Sequence, residues 1–232
     1  MDCIILAGGL GTRLKSTVPD LPKALAPING TPFLEILLQR LTHSSLVKRV
    51  IFSIGYKGSM IQQYVVAKSY PFECVFSLED NPLGTGGAIF HALKQTNSST
   101  VFVMNGDSYF NICLSSFFDF HQKNNADITI ACLKAEDPSR FGSIEISSEK
   151  RILSFKEKSN NSSLINGGIY CINKEVFLSF PFQKSFSLEH DAFPHLIKHK
   201  MFAYISSEDF IDIGTEESYI QAKKFLKPLV ET

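Results

Sequence analysis

No stretch of the 232-residue chain approaches the ~20 consecutive apolar residues that span a bilayer. The N-terminus has no basic region, and its apolar run is too short for a secretory signal, which predicts a cytoplasmic protein without a membrane partner. Net charge is also missing: 23 Lys and Arg balance 23 Asp and Glu. A neutral chain has no global field to attract nucleic acid, so any cations that hold a phosphate must be local. The five cysteines, Cys3, Cys74, Cys113, Cys132 and Cys171, are odd in number and widely spaced. That pattern favours buried, reduced thiols over a disulfide frame, and without a CxxC pair a structural zinc site has no basis. His195 and His199 lie four apart but lack the intervening Glu of a zinc-protease helix, and a solvated helix face accounts for them. No Ser/His/Asp or Cys/His set stands out, and no linker or internal repeat divides the chain.

What is present is concentrated in residues 3–27, CIILAGGLGTRLKSTVPDLPKALAP. The short apolar run Cys3 to Ala7, stopped by Gly8-Gly9, suits a buried strand of a parallel sheet. Glycines at 8, 9 and 11 let backbone approach a ligand with no Cβ in the way, and consecutive N–H groups in such a turn form an anion-binding concavity. With Leu6, Ala7 and Thr12 completing the segment, and Arg13 and Lys23 supplying two cations, the simplest guest is a nucleoside triphosphate. Two better-known phosphate loops do not fit. A Walker loop needs Gly-Lys-Ser/Thr after four residues. A dinucleotide fingerprint needs a third Gly where Leu14 stands and an acidic residue about 20 positions on, yet the second strand ends Ser53-Ile54-Gly55.

The rest of the first half alternates between periods. Thr31-Pro32 reads as a helix start, followed by Leu34, Leu37, Leu38 and Leu41 at helical spacing. A strand over 48–54, a helix through Met60 to Val65 and a strand over 72–77 argue for parallel βαβ units. LGTGGA at 83–88, with Gly84, Thr85 and Gly86, enters the next helix and offers N–H groups beside a base or ribose, or simply a turn. Glu79, Asp80 and Asn81 precede it, as acceptors for the donors on a base edge. A strand over 100–104 then ends Asn105-Gly106-Asp107. Ligands of open α/β sheets gather at the carboxyl ends of strands, so Asp107 is placed to reach a metal-bound triphosphate, although a strand-end Asp is also an ordinary turn former.

Past residue 114 the texture turns β-rich, with a helix over 116–122 and strands at 128–133, 143–146, 152–155 and 165–172. A helix over 187–198, a strand over 210–213 and a closing helix over 216–226 complete the reading. The whole is expected to form one α/β domain, 1–232, with a nucleotide-binding half (1–114) and a second half (115–232).

LAGGLGTRL followed by PKALAPING resembles the signature of the sugar-1-phosphate nucleotidyltransferases, and the likeness extends from Asp2 to about Tyr219. It implies a Rossmann-like nucleotide-diphospho-sugar transferase fold, with a mixed, mostly parallel central sheet flanked by helices. The activity implied joins a nucleoside triphosphate to a sugar 1-phosphate and releases pyrophosphate. Within the family, EDNPLGTGGA and LINGGIY resemble short bacterial guanylyltransferases, implying GTP and a manno-configured heptose or mannose 1-phosphate. Arg140-Phe141-Gly142, Phe155-Lys156-Glu157-Lys158 and Asn166-Gly167-Gly168 match the family's sugar-side patterns. By that likeness Gly142, Glu157, Asn166 and Gly167 serve the sugar, and Lys158 holds its phosphate. Ser159 stands where the family usually has Pro, which bears on the rigidity of that loop. Asn-Gly-Asp at 105–107 and Asp-Ile-Gly-Thr at 212–215 match the motifs whose aspartates, Asp107 and Asp212, would share one Mg²⁺ at the edge of the sheet, as ends of parallel neighbours. With the chain ending at Thr232, the β-helix of longer relatives is expected to be absent. Two other readings stay open: a silent sugar-nucleotide sensor, and a transferase with a non-sugar phosphate acceptor.

Overall fold

The first strand, β1 (Asp2–Leu6), alternates between two hydrophobic layers, with Cys3 and Ile5 facing one and Ile4 the other. Every one of its residues is paired on both sides. The computed structural model describes residues 1–14, 16–135, 142–157 and 164–230, and only the backbone of residues 142, 156 and 157. After β1, two single 3₁₀ turns, Thr12–Leu14 and Lys23–Leu25, lead to a small ladder of β2 (Pro27–Ile28) and β3 (Thr31–Pro32). Then come α1 (Phe33–Thr42), β4 (Arg49–Ile54), α2 (Gly58–Val66), β5 (Glu73–Leu78), α3 (Gly84–Leu93) and β6 (Thr100–Asn105). The second half runs β7 (Ser108–Phe110), α4 (Leu114–Lys123), β8 (Ile128–Lys134), β9 (Gly142–Ile146), β10 (Ile152–Glu157) and β11 (Leu164–Asn173). It closes with α5 (Lys174–Leu178), α6 (Phe193–Leu196), β12 (Met201–Ile205), β13 (Phe210–Asp212), α7 (Glu216–Phe225) and α8 (Lys227–Val230).

The nine-stranded sheet has the order β10-β9-β11-β6-β1-β4-β5, with β8 also on β11 and β12 on β8. It is mixed and mostly parallel. Strands β6, β1, β4 and β5 run parallel, as do β8 and β12, while the long β11 is antiparallel to β6, β8 and β9. Residues from both sides of position 114 therefore share one sheet. Helices cover both faces. Leu34, Leu38 and Leu41 of α1, Ile61 and Val65 of α2 and Phe117 of α4 bury one face; Ile89, Ala92 and Leu93 of α3, Phe177 of α5 and Phe193 and Leu196 of α6 bury the other. This two-sided burial explains why the parallel strands read as continuous apolar runs. A third cluster, including Leu14, Ile28, Phe33, Tyr109, Ile213 and Tyr219, ties α7 and the β7–β13 ladder to α1. Among the described residues no helix is long and apolar enough to cross a membrane. All five cysteines are free.

Three expectations are corrected. Thr31 does not cap α1: it pairs with Ile28 in the β2–β3 ladder, and the helix starts at Phe33 with no side-chain cap. The continuous helix expected over 187–198 is instead a π turn, Leu188–Ala192, followed by the four residues of α6. Pro194 has no N–H to donate, which breaks a single α-helical ladder there. Asp212 is not at the end of a parallel neighbour in the main sheet; β13 pairs antiparallel with β7 in a separate two-stranded ladder, Asp212 opposite Ser108.

One buried carboxylate is structural. Glu35 on α1 accepts hydrogen bonds from Tyr64 Oη (3.0 Å) and Tyr70 Oη (2.8 Å), and Lys68 Nζ lies 3.0 Å away. Burial alone would raise its pKa, but the Lys68, Tyr70 and Tyr64 donors outweigh it and hold the carboxyl below its ordinary 4.5. A lowered folded-state pKa means a contribution that is present above the unfolded value and lost as pH falls through the folded one. Urea melts at about pH 7 and about pH 3.5 should therefore show a smaller acid destabilisation in Glu35→Gln than in the wild type; an equal acid loss in both would remove Glu35 from the acid response.

Candidate active site

The carboxyl ends of β1, β4, β5 and β6 all reach one edge of the sheet, and the segments after β1, β5 and β6 line a cavity of about 290 Å³. Ligand pockets start near that size, at roughly 300 Å³. Its floor is Leu6, Ala7, Gly8 and Gly9 after β1, and Asn105, Gly106 and Asp107 after β6. Its walls are Lys23 and Ala24, Glu79 and Pro82 after β5, and Gly84, Thr85 and Ala88 at the start of α3, with Leu10 completing the lining. Of the nucleotide-side residues singled out in the sequence, Leu6, Ala7, Gly8, Gly9, Lys23, Glu79, Gly84, Thr85, Gly106 and Asp107 are thus gathered here.

Lys23 is the cation of the lining. Its Nζ lies 2.6 Å from Asp107 Oδ2, with the lysine side chain 14% and the aspartate side chain 42% exposed. Gly11 makes the approach possible: its φ is +60°, and a Cβ there would stand 3.2 Å from the Cβ of Lys23. Asp212 arrives from the other ladder, because the Ile213 N–H donates to the Asp107 carbonyl at 2.9 Å. Asp212 Oδ1 accepts from the Gly214 N–H at 2.5 Å and from Ser218 Oγ at 3.1 Å. The point that a Cβ on Gly214 would occupy is 2.6 Å from Asp212 Oδ1 and 3.7 Å from Lys23 Nζ. Lys23 and Asp107 therefore line the cavity as an ion pair, and Asp212, outside the lining, is tied next to Asp107 through the backbone. Arg40 of α1 supports the same ladder from behind, its guanidinium donating to the carbonyls of Phe110 and Ile112. Arg13 is exposed on the Thr12–Leu14 turn, whose Leu14 is buried, and Arg13, Gly11 and Thr12 all lie outside the cavity lining.

The entry to α3 differs from the sequence reading. The N–H groups of Gly86 and Gly87 do not face the cavity; both donate to the Phe186 carbonyl, at 3.0 and 3.2 Å. Gly86 is buried beneath the Phe186 ring, and only Gly84, Thr85 and Ala88 of this helix line the cavity. Thr85 is fixed from the same side, its Oγ1 donating to Glu189 Oε2 at 3.0 Å and accepting from the Leu188 N–H at 2.8 Å. Glu79 is likewise engaged: Oε1 accepts from Ser53 Oγ at 3.1 Å and Oε2 from the Leu83 N–H at 3.2 Å. Asn81 is exposed and outside the lining.

On the sugar side, Gly142 and Glu157 are opposite each other in the β9–β10 ladder. Lys158, together with Arg140, Phe141 and Ser159, lies outside the described residues. Asn166 sits at a register shift in β11, its Nδ2 donating to Tyr170 Oη (2.8 Å) and its Oδ1 accepting from the Gly168 N–H (2.9 Å). Gly167 has a packing reason of its own: a Cβ there would meet the Phe110 ring at 2.4 Å. Gly168 abuts Asn105 and Ser108, so this bulge reaches the floor of the cavity from the second half. Sequence reasoning missed Asn105, Leu10, Ala24, Pro82 and Ala88 as lining, and the Phe186–Glu189 brace altogether. Asn105, a polar residue closing an apolar strand beside Gly106, carried a usable signal; the brace comes from a segment 100 positions from its partner and carried none.

Residues 2–228 match the family model described as nucleotidyl transferase. The chain is 38% identical over 229 residues to the D-glycero-alpha-D-manno-heptose 1-phosphate guanylyltransferase of Aneurinibacillus thermoaerophilus, covering 98% of this chain and 99% of that protein. It is 40% identical over 220 residues to the enzyme of the same name from Campylobacter jejuni, covering 94% and 97%. Among solved structures, HddC from Yersinia pseudotuberculosis complexed with GMP-PN is similar at a TM-score of 0.84 and 35% identity, over 97% of this chain and 99% of that one.

Proposed function

The chain belongs to the nucleotidyl transferase family, and from that premise we propose that it is a guanylyltransferase acting on a manno-configured heptose 1-phosphate in the cytoplasm. The observation that carries the reading is the cavity at the sheet edge. A glycine-lined floor meets Lys23 and Asp107 there, with Asp212 held beside Asp107 by the Ile213–Asp107 backbone bond, and this supports assigning a triphosphate and its metal to that edge. The guanine and heptose preferences rest on the relatives' names and on the HddC complex.

In the proposed reaction an oxygen of the sugar 1-phosphate attacks the α-phosphorus in line, the new P–O bond forms, and the bond to the bridging oxygen breaks to release pyrophosphate. Such chemistry rests on positioning and charge neutralisation. The Leu6–Gly9 backbone, with Gly11, Thr12 and Gly106, lets the phosphates approach closely. Lys23, joined by the exposed Arg13, balances the charge on the triphosphate and the departing pyrophosphate. Glu79, Asn81, Gly84, Thr85 and Gly86 form or support the base side. Gly142, Glu157, Asn166 and Gly167 are assigned to the sugar, and Lys158 to alignment of the attacking phosphate. The donor set fits Mg²⁺: the ion favours oxygen ligands and takes one or two carboxylates with substrate phosphates filling the rest, and Lys23 Nζ already stands as a cation against Asp107. Asp107 and Asp212 would hold the ion, which when bound supplies Lewis-acid neutralisation of phosphate charge.

The test is a matrix of the four nucleoside triphosphates against several sugar 1-phosphates, read by pyrophosphate release. Highest kcat/KM is expected with GTP and D-glycero-α-D-manno-heptose 1-phosphate, ahead of mannose 1-phosphate; release with no pair would make the chain a silent sugar-nucleotide binder. Glu157→Gln should raise the KM for the sugar phosphate about three- to tenfold, the loss of one or two modest hydrogen bonds, and leave the nucleotide Kd unmoved. A calorimetric loss of nucleotide affinity would place Glu157 in the wrong pocket.

A further inference from the structure

An ammonium held 2.6 Å from a carboxylate that is assigned to a metal creates a conflict, because both cations need the same oxygen. Lys23 is not a loose side chain. Pro22, in the extended conformation, precedes it, the Gly11 turn packs on its stem, and its side chain is mostly buried. Asp212 Oδ1 and Lys23 Nζ both border the point that a Cβ on Gly214 would occupy, at 2.6 and 3.7 Å. Among the described residues no group of three or more His, Cys, Asp or Glu could hold a metal ion. One carboxylate paired with a tethered cation, beside a second whose Oδ1 accepts from the Gly214 N–H and Ser218 Oγ, makes a poor site for a free divalent ion, which dehydrates reluctantly and wants oxygen ligands around it.

We propose that Lys23 is the resident counter-ion of Asp107, so that a divalent cation enters between Asp107 and Asp212 only together with a nucleotide. The inference rests on the reading of these aspartates as metal carboxylates. Triphosphate resolves the conflict because it does two things at once. Its oxygens draw the ammonium away from Asp107, and they supply the ligands that two carboxylates lack. Lys23 is thereby a positioning residue for the metal carboxylates as well as a phosphate contact, and removing it has opposite effects on the two ligands.

The test uses the full chain without sugar phosphate: Mn²⁺ titrated without nucleotide and followed by electron paramagnetic resonance of the free ion, and equilibrium dialysis with GTP on both sides of the membrane, in which excess Mn²⁺ on the protein side reports uptake by the protein. Without nucleotide, Lys23→Ala and the stem-retaining Lys23→Met should bind Mn²⁺ about tenfold or more tightly than wild type, in line with the effect of ~1–3 pK units that a charge within ~4–6 Å exerts. With GTP present the wild type should bind the ion, and the variants should bind the nucleotide more weakly. Adding Asp107→Asn to Lys23→Ala should abolish the gain. Circular dichroism melts establish that each variant is folded. Variants that bind free Mn²⁺ no more tightly than wild type, while the wild-type protein still takes up the ion with GTP, overturn the proposal and leave the metal assignment standing. No uptake by the wild type even with GTP overturns the metal assignment and the proposal with it.

Discussion

Asp107→Asn and Asp212→Asn are each expected to lower kcat/KM by about two to three decades, since the charge stabilisation that a bound metal supplies is worth several kcal/mol and each ~1.4 kcal/mol is tenfold. The substitutions are chosen so that the fold survives. Asp212 Oδ1 accepts from the Gly214 N–H and from Ser218 Oγ, and an Asn amide oxygen preserves both bonds. Asp107 loses only its attraction to Lys23, a partly exposed pair of the kind worth about 0–1 kcal/mol. Melting temperatures should therefore stay close to wild type while turnover collapses, and EDTA should abolish turnover of the wild type. Retention of activity within about tenfold in either variant, less than the ~1.4 kcal/mol step that a lost metal contact must exceed, would take that aspartate out of the metal assignment.

The way these aspartates meet separates what the sequence could say from what it could not. The strands β1, β4 and β6 were legible because burial on both faces makes each a short apolar run bounded by turn residues, and β5, at the sheet edge and mostly half-buried, was legible from its Cys74–Phe76 run. Their shared carboxyl edge then follows from parallel pairing alone, which is why the floor of the cavity could be anticipated. Asp212 was legible as a motif and not as geometry. A three-residue strand carries too little pattern to announce its partner, and β13 chose β7 over the main sheet. Non-local hydrogen bonds were invisible in the same way. LGTGGA promised free N–H groups at a helix start, yet Phe186 contributes a carbonyl that consumes two of them. The helix expected at 187–198 failed for a local reason, Pro194, that could have been read.

Gly86→Ala puts this brace to a test in which two principles predict opposite signs. Gly86 is inside α3 with no left-handed φ, and helix propensity alone favours Ala over Gly by about 1 kcal/mol. Packing opposes it: the new methyl would stand 2.3 and 2.4 Å from two atoms of the Phe186 ring and 3.2 Å from the Leu188 nitrogen. The ring cannot swing clear, because it stacks on Phe182 at 4.4 Å and meets Phe90 edge-on at 6.5 Å. Its backbone is also tied, the Phe186 N–H donating to the Leu83 carbonyl at 2.9 Å. Overpacking of this kind typically costs about 1–3 kcal/mol, so urea melts should show net destabilisation despite the better helix former. Because Leu188 and Glu189 hold Thr85, the displaced segment should also weaken nucleotide affinity in calorimetry. Phe186→Leu removes the ring atoms that the methyl meets, so the double variant should lose less stability than the two single changes added together, as neighbours in contact do. Strict additivity, or a stabilised Gly86→Ala, would mean that the segment yields and that the nucleotide wall does not depend on it.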